Sequence, residues 1–412
     1  MARRKRNARR LIVGIIIFLI AGFATFLGFS MATMDTKIEL NMTYSLPEGV
    51  DANEKIKETV NLLSGETQIA VAMDGKILFK DDNNDPRAIA STAKVIMALA
   101  VMREHPLELG DKGPEIEITA EYVDLYNDYV ASNGSVTRVE LGEKISLYDA
   151  LASALIASSN NVADTLALWT FSSMDNYRQA ASRMLEEFGL EKTVIGSDAS
   201  GYDSNTKSTA SEMAILAQKL LENPVLREIV GTKSYTVPVA GTLENTNQLL
   251  GKQGIVGVKT GYNFEALYCL LTGYFEGEHI ITVAELSAET RNNSFMDSLA
   301  VITTAQENIV PQKIVQQGEE IGYYDAWWLE RTPVTAKEGL EALVLKESAK
   351  SAEINQADNS DDNFDNNLVS AKLSIKIDDI YYEVPLEVAS FPKKPSLWER
   401  FLHVFGWEKA RA

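Results

Sequence analysis

Cysteine and histidine are nearly missing from this 412-residue chain, and basic charge is missing from most of it. One cysteine, Cys269, cannot close an internal disulfide. Three scattered histidines, His105, His279 and His403, argue against a Cys/His zinc cluster, so neither metal nor cofactor is expected. They also match no Ser/His/Asp spacing, so a serine enzyme built on this sequence needs a base other than histidine. Six of the 39 basic residues fall in residues 1–10, which leaves 33 against 58 acidic residues in the remainder, a net charge of −25. A surface that acidic repels phosphate, and with no basic patch beyond the N-terminus a nucleic-acid partner is excluded. No internal repeat is present. What remains is globular composition, 45% hydrophobic and 24% charged, long enough for two or three domains.

Arg3, Arg4, Lys5, Arg6, Arg9 and Arg10 precede an uncharged apolar run over 11–34. This pattern predicts an export signal or a membrane anchor with its basic flank in the cytoplasm. The run can cross a bilayer about 30 Å thick, which favours a retained anchor; Ser30, Met31 and Ala32 keep a cleaved signal open. Either way residues 35–412 lie outside, and an exported chain without disulfides suggests the outer face of a bacterial cytoplasmic membrane.

Further along, 68–73 and 76–80 read as strands joined by the hairpin turn Asp74-Gly75. Residues 90–103 carry apolar side chains at helical spacing. Residues 147–169 are helical too, but Ser158-Ser159-Asn160-Asn161 predicts a turn between two helices. Another helix is expected over 211–221 and strands over 257–273 and 279–287, giving an α+β domain, helices packed on an antiparallel sheet, over 35–305. Short strands over 313–316, 339–346, 371–377 and 380–388 predict a small all-β domain over 306–392, with a mobile insertion at 348–367. In the tail, 393–412, the residues Leu397, Trp398, Phe401, Leu402 and Phe405 share one helical face. An amphipathic helix at a membrane surface is the functional reading; docking on the protein itself is the other.

Three short segments carry chemistry together: Ser91-Thr92-Ala93-Lys94, Ser158-Ser159-Asn160 and Lys259-Thr260-Gly261. Each alone is common. In this order the set is that of penicillin-binding proteins and class A β-lactamases. Ser91 and Lys94, three apart at the start of a helix, place an amine one turn below a hydroxyl. Burial and a second cation, Lys259, would lower that amine's pKa enough to make it a base. Ser158 could relay a proton to a leaving amine, and Asn160 could hold Lys94 and a substrate amide. On an edge strand Lys259 would present positive charge and Thr260 a hydroxyl to a carboxylate, while Gly261 lets substrate lie close to the backbone.

Residues 45–300 resemble the D-alanyl-D-alanine carboxypeptidases, low-molecular-mass penicillin-binding proteins with the β-lactamase-like transpeptidase fold. Supporting stretches are Ala70 to Leu78, Leu141-Gly142-Glu143-Lys144, Asp198-Ala199-Ser200-Gly201 and Ser208-Thr209-Ala210. The resemblance implies removal of the terminal D-alanine from peptidoglycan stem pentapeptides through an acyl-enzyme on Ser91, with β-lactams as covalent inhibitors. It also implies an oxyanion hole from the backbone N–H groups of Ser91 and Tyr262, and Arg291 assisting Thr260 at the substrate carboxylate. The chain departs from the family pattern at Ile89 (commonly proline), Asn161-Val162 (usually Asp-Ala), Lys207 (often histidine) and Tyr262-Asn263. Two alternatives stand beside this reading: a β-lactamase, which would need a Glu-x-x-Leu-Asn element absent between Asn160 and Lys259, and a non-catalytic wall-binding protein that has kept the fold.

Overall fold

The structure is a computed structural model that describes residues 2–34, 39–46, 52–61, 63, 66–345, 350–355, 372–377, 380–388 and 394–407. Its centre is a five-stranded antiparallel sheet in the spatial order Gly257–Asn263, Leu267–Glu276, His279–Ala288, Gln68–Met73, Lys76–Lys80. Chain order differs from spatial order because the helical layer is inserted between the opening hairpin and the three later strands.

Alternate residues of the central strands feed two cores. Ala70, Ala72, Leu271 and Ala284 pack with the helices Lys94–Glu104, Leu147–Ile156, Asn160–Phe171 and Ala210–Glu222. Ile69, Val71, Met73, Ile281 and Val283 face Phe295, Val301 and Ile302 of the helix Arg291–Asn308, and Ile56 of the helix Ala52–Asn61. With both faces covered, all six residues of Gln68–Met73 are buried. Gln68 is tolerated there because its amide donates to Asn83 and Asp85 carbonyls while its oxygen accepts the Ala210 N–H.

The stretch 257–273, expected as one strand, is two. Asn263 Oδ1 accepts the Ala266 N–H at 2.7 Å, closing a turn, and the chain returns with Gly261 opposite Cys269. The turn over 158–161 falls where four small polar residues predict it: Ser159 caps the helix Asn160–Phe171 by accepting the Val162 N–H.

Beyond Asn308 the described residues build a six-stranded sheet in the order Glu39–Met42, Glu320–Asp325, Thr332–Ala336, Ile380–Val388, Lys372–Ile377, Lys350–Asn355. Ile321, Val334, Leu373, Ile375 and Val384 fill its core. Lys350–Asn355 falls inside the stretch expected to be a mobile insertion and is a strand paired residue for residue with Lys372–Ile377; the remainder of that stretch, 348–349 and 356–367, lies outside the described residues. The edge strand Glu39–Met42 comes from the opposite end of the chain.

Ala2–Ala32 is one helix, and its 9–32 portion alone among the described residues is long and apolar enough to cross a membrane. The tail helix Leu397–Val404 starts at a capping box between Ser396 and Glu399. It lies against the first helix: Arg400 Nη1 donates to the Met31 carbonyl at 3.3 Å, and the Phe23 and Phe405 rings are 6.2 Å apart.

Candidate active site

Ser91 does not open an α-helix. It sits in a 3₁₀ turn, Ala90–Ala93, and the α-helix begins at Lys94. The sequence reading placed both residues on one α-helical turn; the tighter turn still brings Lys94 Nζ to 2.8 Å from Ser91 Oγ. The same amine lies 2.8 Å from Asn160 Oδ1 and 2.8 Å from the Ser200 carbonyl. A charged ammonium donates to all three. Once it is neutral, its lone pair needs a donor, and of these partners only the Ser91 hydroxyl has a proton to give.

Lys94 is fully buried, and burial lowers its pKa to about 7 against the opposing pull of the Asp198 and Asp164 charges. Lys259 is held well below its ordinary value, by burial first and by the Lys94 charge second. Its Nζ donates to the Thr260 carbonyl at 3.0 Å. Both lysines therefore lie behind the wall of the site: Lys259 does not project toward a ligand, as a cation offered directly to a carboxylate would.

That wall bounds a cleft of about 680 Å³, with Ser91, Ser158, Asn160, Thr260, Gly261, Tyr262 and Arg291 all on its lining. Ser158, at a left-handed φ of +60° between two helices, makes no side-chain hydrogen bond among the described residues. Thr260 Oγ1 is 2.6 Å from Thr246 Oγ1, and Arg291 Nη2 reaches the Thr246 carbonyl at 3.5 Å. Gly261 is required by close approach: a Cβ there would stand 3.1 Å from both the Ser91 and Thr92 nitrogens. The strand carrying Lys259 to Gly261 is thus pressed onto the serine turn.

Sequence reasoning missed several members of the site. Thr246 belongs to no motif. Asp198, quoted only as part of a family stretch, organises the 198–203 loop: its Oδ1 accepts the N–H groups of Ser200 and Gly201 at 2.9 and 2.6 Å, and its Oδ2 accepts that of Asp203 at 2.6 Å. That loop delivers the Ser200 carbonyl to Lys94. Asn161, where the family usually has aspartate, accepts the Thr137 N–H and donates to the Thr137 carbonyl, both at 3.0 Å; an aspartate could make only the first bond. Cys269 also borders the cleft, but burial raises its thiol to about 12, so it is no nucleophile at neutral pH.

The family model for D-alanyl-D-alanine carboxypeptidase (peptidase family S11) matches residues 54–290, more than half of the chain and every one of these motifs. The chain belongs to that family. Among curated relatives it is similar to D-alanyl-D-alanine carboxypeptidase DacF of Bacillus subtilis, 29% identical over 223 residues, covering 52% of this chain and 56% of that one. A D-alanyl-D-alanine carboxypeptidase of a Streptomyces species is 28% identical over 221 residues, covering 48% and 71%. The chain therefore spans little more than half the length of the first relative. Among solved structures, the D-alanyl-D-alanine carboxypeptidase DacD of Francisella tularensis superposes with a TM-score of 0.62 at 15% identity, over 81% of this chain and 95% of that one. At such identity the likeness carries the fold, and it is the α+β fold expected from the sequence.

Proposed function

We propose that the protein is a serine D-alanyl-D-alanine carboxypeptidase of the cell wall, acylated on Ser91 by peptidoglycan stem pentapeptides and by β-lactams. The observation that carries this reading is the buried Lys94 amine, 2.8 Å from the Ser91 hydroxyl with a pKa lowered to about 7. In the proposed cycle Ser91 Oγ attacks the carbonyl between the last two D-alanines, and its proton passes to neutral Lys94. The oxyanion forms against the Ser91 and Tyr262 N–H groups. Ser158, on the cleft wall with a free hydroxyl, passes a proton to the leaving amine, and the C–N bond breaks. Asn160 steadies Lys94 and the substrate amide. Thr260 and Arg291 hold the terminal carboxylate, with Lys259 adding positive potential from behind. Water then cleaves the acyl-serine ester, returning Ser91 and a peptide one residue shorter.

The membrane placement belongs to the same reading. The first helix spans the bilayer and keeps the remainder outside. The tail helix lies on its outer end, with Trp398 and Trp407 both 65% exposed at the headgroup boundary. The test of the chemistry is covalent labelling of the full chain by a fluorescent penicillin. Ser91→Ala should abolish labelling and Lys94→Ala should nearly do so, each in folded protein; normal labelling of either removes the proposed roles.

A further inference from the structure

Behind the base lies a buried acid that the proposed cycle leaves unused. Asp164, on the helix Asn160–Phe171, is 3% exposed. Its Oδ1 accepts the Ala199 N–H at 2.9 Å and its Oδ2 accepts the Tyr129 hydroxyl at 2.6 Å. The Tyr129 oxygen is in turn 3.2 Å from Ser200 Oγ. These bonds pin the 198–203 loop from below, one residue before the carbonyl that meets Lys94. None of the ion pairs among the described residues includes Asp164.

We infer that Asp164 is a positioning residue for the base: through Ala199 and Tyr129 it seats the Ser200 carbonyl under Lys94, and together with Asp198 it tunes the pH at which Lys94 can accept a proton. The inference rests on the acyl-enzyme chemistry proposed above.

The charges around the pair are few. Asp164 is faced by Asp198, Tyr129, Tyr177 and Lys94, and Lys94 is faced by Asp198, whose pull on it is the larger of the two acids', and by Lys259 from the neighbouring strand. Burial, with the Asp198 charge, raises Asp164 to about 7, so acid and base titrate in one range. The sign follows from removing one charge. Asp164→Asn keeps the shape: its oxygen can still accept from Ala199, and its amide can donate to the Tyr129 oxygen. Without the negative charge the ammonium is less favoured, Lys94 loses its proton at lower pH, and the acid limb of the acylation rate moves down.

The experiment measures the acylation rate of the full chain by a fluorescent penicillin from pH 5 to 9, for wild type, Asp164→Asn and Tyr129→Phe. Asp164→Asn should shift the midpoint of the limb down by roughly half a unit relative to that variant's own plateau, with the two profiles converging below about pH 6, where Asp164 is protonated in wild type as well. Tyr129→Phe removes a bond that favours the Asp164 carboxylate, so its limb should move the same way by less. A purely structural role lowers the plateau without moving the limb. A limb at the wild-type pH in the folded variants, Tyr129→Phe alone if Asp164→Asn does not fold, overturns the inference. Wild type that is not acylated at any pH overturns the acyl-enzyme reading instead.

Discussion

Gly201→Ala tests how tightly the loop behind the site is fitted to the serine turn. Gly201 has a φ of +74°, and a Cβ built on it would lie 1.9 Å from the Ala90 carbonyl oxygen and 2.8 Å from the Ala93 Cβ. Two costs add. Left-handed backbone costs a non-glycine residue about 1–2 kcal/mol. Forcing an atom into filled space costs about 1–3 kcal/mol more, and here the neighbour is backbone of the turn that carries Ser91. The variant should therefore lose about 2–5 kcal/mol. Gly142→Ala is the matched control: its φ is +81° but nothing stands within 4 Å of the added atom, so it pays the first cost alone. Thermal melting of both variants, with penicillin acylation rates, separates the contributions. The drop in melting temperature for Gly201→Ala should be about twice that for Gly142→Ala or more. Its acylation should slow because relief of the clash moves the Ser200 carbonyl off Lys94, while Gly142→Ala acylates at the wild-type rate. Equal melting and equal acylation in the two variants would refute the close-approach argument.

Two further predictions concern parts away from the cleft. Glu285, fully buried in the central sheet, accepts the Ser298 hydroxyl at 2.6 Å through one oxygen, while the other has no hydrogen-bond partner among the described residues. Burial holds its pKa well above the ordinary carboxylate value, so above about pH 4.3 the unfolded state gives up a proton that the folded state keeps, and stability falls as pH rises. Glu285→Gln should raise the melting temperature at pH 8 and leave it nearly unchanged at pH 4; no gain at pH 8 contradicts the neutral-carboxyl account. For the tail, removing 397–412 from a chain that already lacks 1–34 should abolish co-sedimentation with lipid vesicles and leave penicillin acylation intact. Unchanged co-sedimentation counts against an interfacial helix.

Much of the candidate site was legible because its determinants are local. The spacing of Ser91 and Lys94, the small polar turn at 158–161 and the Lys259-Thr260-Gly261 strand each place a side chain through short-range geometry. Asp164 was not legible: on its own helix it is one polar position among apolar ones, and its burial exists only because Tyr129 and Ala199 arrive from elsewhere. The same holds for Thr246, and for Glu39–Met42, which gains its partner from a strand near the other end of the chain. The double strand over 257–276 was hidden by a turn without glycine or proline, closed instead by the Asn263 side chain. Lys259 was read, with Thr260, as presenting its charge to a substrate carboxylate. Its long side chain instead ends 1% exposed beneath the wall, next to Lys94.

The central claim is that Ser91 becomes an acyl-enzyme with wall peptide. Mass spectrometry of the full chain, incubated in parallel with a stem pentapeptide and with benzylpenicillin, tests it most directly. The account predicts loss of one D-alanine from the peptide and a penicilloyl adduct mapped to Ser91. Folded protein that yields neither product, or an adduct on any other residue, contradicts it.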